Sequence, residues 1–246
     1  DRCGRMPGRL VVSSNSARAD WRTFPTREAL AEALAEDVAD VLRHALKTRK
    51  QGLLAVSGGS TPGNFFDALS WKHLDWANVV VTLVDERFVP PSSDRSNERL
   101  VRERLLRNEA RLARFMPLYS NAASVEAAAG QADAGLALFG RAPDAVVLGM
   151  GLDGHTASFF PDAPNLDALI DPAQTRRVMP VDAPSAGEPR LTLTLPLLVG
   201  ARFVALHIEG QEKKAVLEAA LTPGGNKPIG AIFAHAHGPV PIYWAG

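Results

Sequence analysis

The sequence has very little cysteine, no excess of either charge and no long apolar run. Cys3 is the single cysteine among 246 residues, which excludes an intramolecular disulfide and a multi-thiolate metal site. Lysine plus arginine equals aspartate plus glutamate at 27 each, so no overall field attracts nucleic acid or an anionic membrane. No stretch approaches the ~18 consecutive apolar residues of a membrane span, and a secretion-signal pattern is missing. We therefore expect a cytoplasmic protein, since so little cysteine suits a reducing compartment.

The composition is that of a compact globular protein. Hydrophobic residues make up 46% and charged residues 22% of the chain, close to the average for soluble domains. None of the segments that contain proline and glycine is long enough to be a convincing interdomain linker. We expect a single domain over residues 1–246, present as a monomer or homodimer. Met6 lies in an irregular opening stretch, and we expect residues 1–8 to be disordered or vector-derived.

Short apolar segments alternate with helical patterns along the chain. The segments consist mostly of valine and leucine without polar alternation, which is typical of parallel strands covered on both faces. They are "RLVVSS" (9–14), "LLAVS" (53–57), "VVVTLV" (79–84), "DAVVLG" (144–149) and "FVALHI" (203–208). Residues 27–50 carry an apolar stripe that predicts an amphipathic helix with Thr26 as its N-cap. Further helices are predicted at 62–70, 96–108, 124–139 and 211–221.

This alternation predicts an α/β fold with a mostly parallel sheet, flanked by helices and joined by right-handed crossovers. Ligands of such folds bind at the carboxyl ends of the strands, where loops lead into helices. Functional residues are therefore expected directly after the predicted strands.

The loop "SGGSTP" (57–62) follows the second strand. Gly58 and Gly59 allow the close backbone approach that side chains would block, while Ser60 and Thr61 add hydroxyl donors. Together with the N–H groups of the helix that follows, they form a candidate phosphate cradle. The Walker A pattern is missing, so this is not a P-loop. A plain tight turn with a Ser/Thr cap is the alternative.

Three charged residues follow the third strand, in "VDERFVPPSSDRSNERL" (84–100). We expect Asp85, Glu86 and Arg87 to be exposed at the carboxyl edge of the sheet. The planar fork of Arg87 suits a phosphate or carboxylate, and Asn97 can return to the pocket at the start of the next helix. A salt-bridged loop without a ligand is the alternative.

The glycines of "GMGLDGHTAS" (149–158) spell G-x-G-x-x-G. A dinucleotide fingerprint needs an acidic residue ~20 positions later at the end of a strand. The first such residue is Asp182, 28 positions beyond Gly154, so the spacing is wrong. His155 instead lies at the mouth of the strand beside Asp153, and an imidazole there suits general acid–base work near neutral pH. A histidine that caps its own helix is the alternative.

Two cations complete the set of candidate site residues. Arg190 begins the alternating segment "RLTLTL", and Lys213 falls in the first turn of the last predicted helix. The dipole disfavours a cation at that end of a helix, so Lys213 indicates an anionic ligand. We expect Lys214 to be solvated.

These segments, with "SN" (96–97), "FFP" (159–161) and "GQEKKAVL" (210–217), occur in an order that closely resembles the 6-phosphogluconolactonase family. The resemblance covers roughly residues 50–221, and "GMGxDGHTAS" followed by "FP" is highly specific. It implies a modified Rossmann-like α/β fold, shared with glucosamine-6-phosphate deaminases. It also implies hydrolysis of 6-phospho-D-glucono-1,5-lactone in the oxidative pentose phosphate pathway, without a metal or a nucleotide cofactor.

The resemblance also implies roles for the candidate residues. His155 would be the base that activates a water molecule, with Asp153 helping to position it. The loop residues Gly58 to Thr61 would cradle the substrate phosphate together with Arg190 and Lys213. Arg87 would face either the lactone end or the phosphate, and Asp85 and Asn97 would contact the substrate. One departure is "SFFP" where the family usually has "SLFP", and this exchange is conservative.

A sugar-phosphate deaminase and a non-catalytic sugar-phosphate sensor are the alternative functions. In the deaminases, the segment that corresponds to the His155 turn resembles "DGHIAFNEP" and has a glutamate five positions after the histidine. This chain has Phe160 at that position. They also have "MDEY" where this chain has Arg87 in "VDERF". Regulators that use a related fold as a non-catalytic sugar-phosphate sensor usually carry a DNA-binding helix-turn-helix ahead of the sugar domain. The ~50 residues before "LLAVS" contain one predicted strand and one acidic amphipathic helix, so we expect no such motif there.

Overall fold

The computed structural model describes residues 15–246. The predicted strand at 9–14 and the expectation for residues 1–8 lie outside the described residues. Within the described part of the chain, no helix is long and apolar enough to cross a lipid bilayer.

Ten strands and eight α-helices are present in residues 15–246. The strands are β1 (Ala19–Phe24), β2 (Gly52–Val56), β3 (Val79–Leu83), β4 (Asp85–Arg87), β5 (Arg114–Phe115), β6 (Ala145–Leu148), β7 (Val178–Val181), β8 (Arg190–Leu193), β9 (Phe203–Glu209) and β10 (Val240–Ala245). The helices are α1 (Arg27–Arg49), α2 (Gly63–Ser70), α3 (Asn97–Arg104), α4 (Val125–Ala137), α5 (Leu166–Leu169), α6 (Leu195–Val199), α7 (Gln211–Leu221) and α8 (Gly230–His235).

Seven strands form the central sheet, in the order β1-β10-β9-β6-β2-β3-β5. Every pair in it is parallel, which confirms the predicted mostly parallel α/β fold. Every residue of β2, β3 and β6 is buried, as the unbroken apolar runs predicted. A second sheet of three antiparallel strands, in the order β4-β8-β7, adjoins the first.

Helix α1 shows how the sequence determines a local element. Four side chains of its apolar stripe are fully buried, namely Leu30, Leu34, Val38 and Leu42, and each contributes about 1.5–3 kcal/mol of burial energy. The side chain of Thr26 accepts a hydrogen bond from the backbone N–H of Ala29 at 3.1 Å, which confirms the predicted N-cap. The helix contacts β2 and β10 of the central sheet as well as α2.

Several strands were not predicted from the sequence. Edge strand β1 is only half-buried and carries polar residues, and β5 has two residues. Strand β7 contains Pro180 and strand β10 contains Pro241. Proline argues against a strand when only the neighbouring residues are considered. These strands depend on pairing with distant segments, and no local pattern reports such pairing.

Candidate active site

The loops after β2, β3, β6 and β9 surround a cavity of about 210 Å³. This position is where an open parallel sheet usually binds its ligand. The cavity is lined by all of the sequence-predicted site residues except Asp153: Gly58, Gly59, Ser60, Thr61, Asp85, Arg87, Asn97, His155, Arg190 and Lys213. Asp153 lies beside His155 and contacts its ring.

His155 is held by hydrogen bonds on a turn after β6. Its ring Nδ1 lies 2.6 Å from Asp153 Oδ1, and the same oxygen accepts the backbone N–H of His155 at 3.0 Å. A carboxylate partner places the proton on Nδ1, so Nε2 is the ring atom with a free lone pair. No helix begins at this turn, since α5 starts only at Leu166, so the helix-cap alternative for His155 is wrong.

Two neighbours fix the plane of the imidazole. The ring centroids of His155 and Phe160 are 4.5 Å apart with an interplanar angle of 30°. On another side, a Cβ placed on Gly151 would lie 2.3 Å from the Cε1 and Nδ1 atoms of His155. Only glycine therefore fits at position 151 while the ring keeps this orientation.

The loop after β2 forms one wall of the cavity. A Cβ at Gly58 would lie 2.0 Å from Asn97 Oδ1, so the loop packs directly against the start of α3. Gly59 has a φ of 87°, a left-handed conformation that favours glycine. Ser57 Oγ accepts the backbone N–H of Gly149 at 2.9 Å, which links this loop to the loop that carries His155.

The charged segment after β3 differs from the prediction. Asp85 and Glu86 are buried, and only Arg87 is half-exposed, so the expected exposure of all three is wrong. They form β4, which pairs with β8. Asp85 Oδ2 accepts the hydroxyl of Ser158 at 2.7 Å, and the backbone oxygen of Asp85 accepts the Asn97 side-chain amide at 3.0 Å.

Burial of Glu86 is compensated by four hydrogen bonds. Its carboxylate accepts the backbone N–H groups of Arg87, Asn97 and Glu98 and the hydroxyl of Ser96. Burial raises the pKa of Glu86, although these four hydrogen bonds oppose the shift. The carboxylate thus caps α3 and fixes the backbone of two cavity residues, Arg87 and Asn97.

Arg87 and Arg190 are register partners on β4 and β8. The guanidinium of Arg190 packs 5.3 Å from the Phe160 ring centroid, and its Nη1 lies 3.9 Å from Asp85 Oδ2. Burial lowers the pKa of Arg190; the charge of Asp85 opposes the shift and that of Arg87 adds to it. Within residues 15–246, the buried Nε atoms of both arginines have no hydrogen-bond partner.

Lys213 extends from the first turn of α7 toward the loop after β2. Its Nζ lies 3.3 Å from Thr61 Oγ1. Burial lowers the pKa of this ammonium, and the negative charge of Glu209 opposes the shift. The expectation for Lys214 is wrong: its ammonium lies 4.4 Å from the ring of Trp244 and 5.7 Å from that of Trp21. It therefore packs on aromatic faces in a half-buried position.

Three contributors to the site were missed in the sequence. Ser158 holds the Asp85 carboxylate, Phe160 supports both His155 and Arg190, and His207 lines the cavity from β9. The signal for His207 was present, because a histidine inside the apolar run "FVALHI" is buried and needs a polar partner. Ser158 and Phe160 gave no such signal, since their partners are distant in sequence.

The assembled groups define a chemical capability. The imidazole of His155 lines a small polar cavity, and cationic side chains from β4, β8 and α7 reach the same space. No group of three or more His, Cys, Asp or Glu side chains within residues 15–246 is arranged to hold a metal ion. The protein thus has an α/β fold whose sheet edge carries a polar, cationic cavity beside an imidazole, an arrangement suited to a small anionic molecule.

The comparisons with known proteins define the family. Residues 25–242 match the family described as glucosamine-6-phosphate isomerases/6-phosphogluconolactonase, and the chain belongs to it. A 6-phosphogluconolactonase of Mesorhizobium japonicum is 54% identical, with 94% of this chain and 97% of that protein covered. One of Rhizobium meliloti is 52% identical over 92% and 99%. The crystal structure of a 6-phosphogluconolactonase from Shewanella baltica has a TM-score of 0.88 at 39% identity, covering 93% of this chain and 98% of that one.

Proposed function

We propose that the cavity hydrolyses 6-phospho-D-glucono-1,5-lactone to 6-phospho-D-gluconate in the oxidative pentose phosphate pathway, with His155 as the general base. The activity is that named for the curated relatives, which match this chain over nearly their whole length. The observation that supports the role of His155 is the short contact of its Nδ1 with Asp153, which leaves Nε2 as the ring nitrogen that can accept a proton.

The reaction needs one proton acceptor and stabilisation of one oxyanion. A water molecule attacks the lactone carbonyl carbon while His155 Nε2 takes its proton, giving a tetrahedral intermediate with a negatively charged oxygen. When the intermediate collapses, the bond from that carbon to the ring oxygen breaks, and the imidazolium returns its proton to the ring oxygen. Such general-base assistance typically contributes a factor of ~10² to 10⁴ in rate. No covalent nucleophile is needed.

The cations and the glycine loop bind the substrate. We assign the phosphate to the loop residues Gly58 to Thr61 together with Arg190 and Lys213, because hydroxyl, amide and charged donors meet there. Arg87, Asp85 and Asn97 line the adjoining wall.

A deaminase-like reaction is less well supported by the site. Ring opening of an amino sugar phosphate would require the glutamate that those enzymes have five positions after the histidine. Phe160 holds that position, is buried and packs against His155. A phenyl ring can support the imidazole but cannot transfer a proton.

We also propose that the protein acts in the cytoplasm as a monomer or homodimer. The single cysteine supports a reducing compartment. Light scattering on the purified protein, with one or two chains per particle expected, tests the assembly.

A coupled assay tests the function directly. Glucose-6-phosphate dehydrogenase generates the lactone, and formation of 6-phosphogluconate is followed with and without the protein. We expect strong acceleration over spontaneous hydrolysis, and a loss of at least ~100-fold in kcat for His155→Ala with little change in KM, since only the proton transfer is removed. Near-normal turnover by the variant would remove His155 from the role. No acceleration by the wild-type protein would instead favour the non-catalytic sensor.

A further inference from the structure

The loop after β4 and the loop before β8 are joined through one carboxylate, beside the cavity wall that contains Arg190. Glu188 precedes β8 by two residues, and only 11% of its side chain is exposed. Its Oε2 is in ion-pair contact with Nη2 of Arg95, and its Oε1 lies 3.8 Å from Nη2 of Arg190. One carboxylate therefore lies between two guanidinium groups, and it is in direct contact with that of Arg95.

Arg95 is the partner at the surface. Its carbonyl oxygen accepts a hydrogen bond from Nη1 of Arg87, and its N–H donates to Ser93 Oγ at 3.2 Å. Its guanidinium reaches the other loop, since a Cβ placed on Gly187 would lie 3.7 Å from its Nη2. The side chain of Arg95 is 61% exposed, and an ion pair with an exposed partner adds little to the stability of a fold. We therefore expect this ion pair to matter little for stability.

Arg190 is the partner in the cavity wall, and its side chain is nearly buried. Its guanidinium packs on the ring of Phe160, and its Nη2 donates to the oxygen of Ala186 at 3.0 Å. If the Glu188 carboxylate moved from 3.8 Å into direct contact, it would form a nearly buried, charge-assisted pair with Arg190. That pair would neutralise the charge that we assign to the substrate phosphate.

We propose that Arg95 is a positioning residue that binds Glu188 and thereby keeps Arg190 available for the substrate phosphate. The cavity is lined by Arg190 but not by Arg95, so Arg95 acts on the substrate through Glu188. The inference rests on the proposed assignment of Arg190 to the phosphate. Loss of Arg95 should weaken substrate binding and leave the proton transfer at His155 unchanged.

The test is a set of substitutions in the full chain, with KM and kcat measured for the phosphorylated lactone. We expect Arg95→Gln to raise KM about fivefold, the size of one partly exposed ion pair, with kcat within about twofold of wild type. Arg95→Lys keeps the positive charge and should have a KM near that of wild type. Adding Glu188→Gln to Arg95→Gln should restore KM, because the competing carboxylate is then gone.

Asp94→Asn is the matched control for net charge. Asp94 is the neighbour of Arg95 in the chain, its side chain is 91% exposed, and its ion pair is with Arg99. Arg95→Gln combined with Asp94→Asn has the same net charge as Arg95→Gln combined with Glu188→Gln. A general electrostatic effect would restore KM equally in both double variants, whereas we expect restoration with Glu188→Gln alone.

The outcomes separate the two proposals. An unchanged KM in Arg190→Ala contradicts the phosphate assignment itself. If KM is raised in Arg190→Ala, the role of Arg95 alone is overturned by an unchanged KM in Arg95→Gln, by a parallel loss of kcat, by no restoration with Glu188→Gln, or by equal restoration with Asp94→Asn. Should Arg95→Gln show no cooperative thermal transition, Arg95→Met, which keeps an unbranched stem without the charge, replaces it with the same expectations.

Discussion

The glycine at position 151 offers a sharp test of how strictly the imidazole must be placed. A Cβ added there would lie 2.3 Å from two ring atoms of His155 and 2.8 Å from Oδ1 of Asp153. Carbon atoms in contact are normally ~3.5–4.0 Å apart, so the Gly151→Ala variant must move the ring by at least about 1 Å. A displacement of about 1 Å of a catalytic group can cost ~10²-fold in rate.

We therefore expect Gly151→Ala to lower kcat by about two orders of magnitude, measured in the coupled lactone assay, while thermal stability stays near that of wild type. Stability is expected to persist because Gly151 does not have a positive φ, so alanine fits its backbone without strain.

Gly149→Ala is the control for this prediction. Its added Cβ would meet the Cβ of Ser57 at 3.8 Å, an ordinary contact, and we expect at most a few-fold change in kcat. A Gly151→Ala variant with wild-type kcat would show that the observed position of the His155 ring is not required for turnover, which would refute this reasoning.

Two further predictions concern the cations. Lys213→Ala and Arg190→Ala should each raise KM more than they lower kcat, because phosphate contacts are lost while His155 remains; tight binding of 6-phosphogluconate by both variants in calorimetry would contradict this. The affinity for 6-phosphogluconate should also begin to fall at a pH below the ~10.4 of an ordinary lysine, since burial lowers the pKa of Lys213 and the phosphate is already dianionic above its second pKa of ~6. The carboxylate of Glu209, whose charge opposes this shift, has a lowered pKa itself and stays ionised over that range. Lys213→Arg should bind with little dependence on pH, and equal pH dependence in both proteins would exclude Lys213 as the titrating group.

The parts of the fold that could be predicted from the sequence are those that depend on local pattern. The all-buried strands β2, β3 and β6 were visible because both faces are covered and every side chain is apolar. Helix α7 was predicted with its observed limits, 211–221. The cavity residues were found because loops after parallel strands meet at one edge of the sheet.

Other features depend on partners that are distant in the chain. Glu86 reads as an exposed charge, yet backbone N–H groups from the start of α3 allow it to be buried. Lys214 reads as solvated, yet Trp21 and Trp244 from two neighbouring strands cover it. In the antiparallel sheet, β4 (Asp85–Arg87) pairs with β8 (Arg190–Leu193), which lies about 100 residues further along the chain. None of these contacts affects the hydrophobic periodicity of the neighbouring sequence, so none could be predicted from it.

The central claim is that His155 delivers a water-derived hydroxide to the lactone carbonyl while the cationic side chains hold the phosphate. A crystal structure of the complex with 6-phosphogluconate tests it most directly. We predict that the product carboxylate lies within hydrogen-bond reach of His155 Nε2, about 2.6–3.2 Å, with the phosphate against Lys213 and Arg190. A ring that points into solvent, several ångströms from the carboxylate, would contradict the claim.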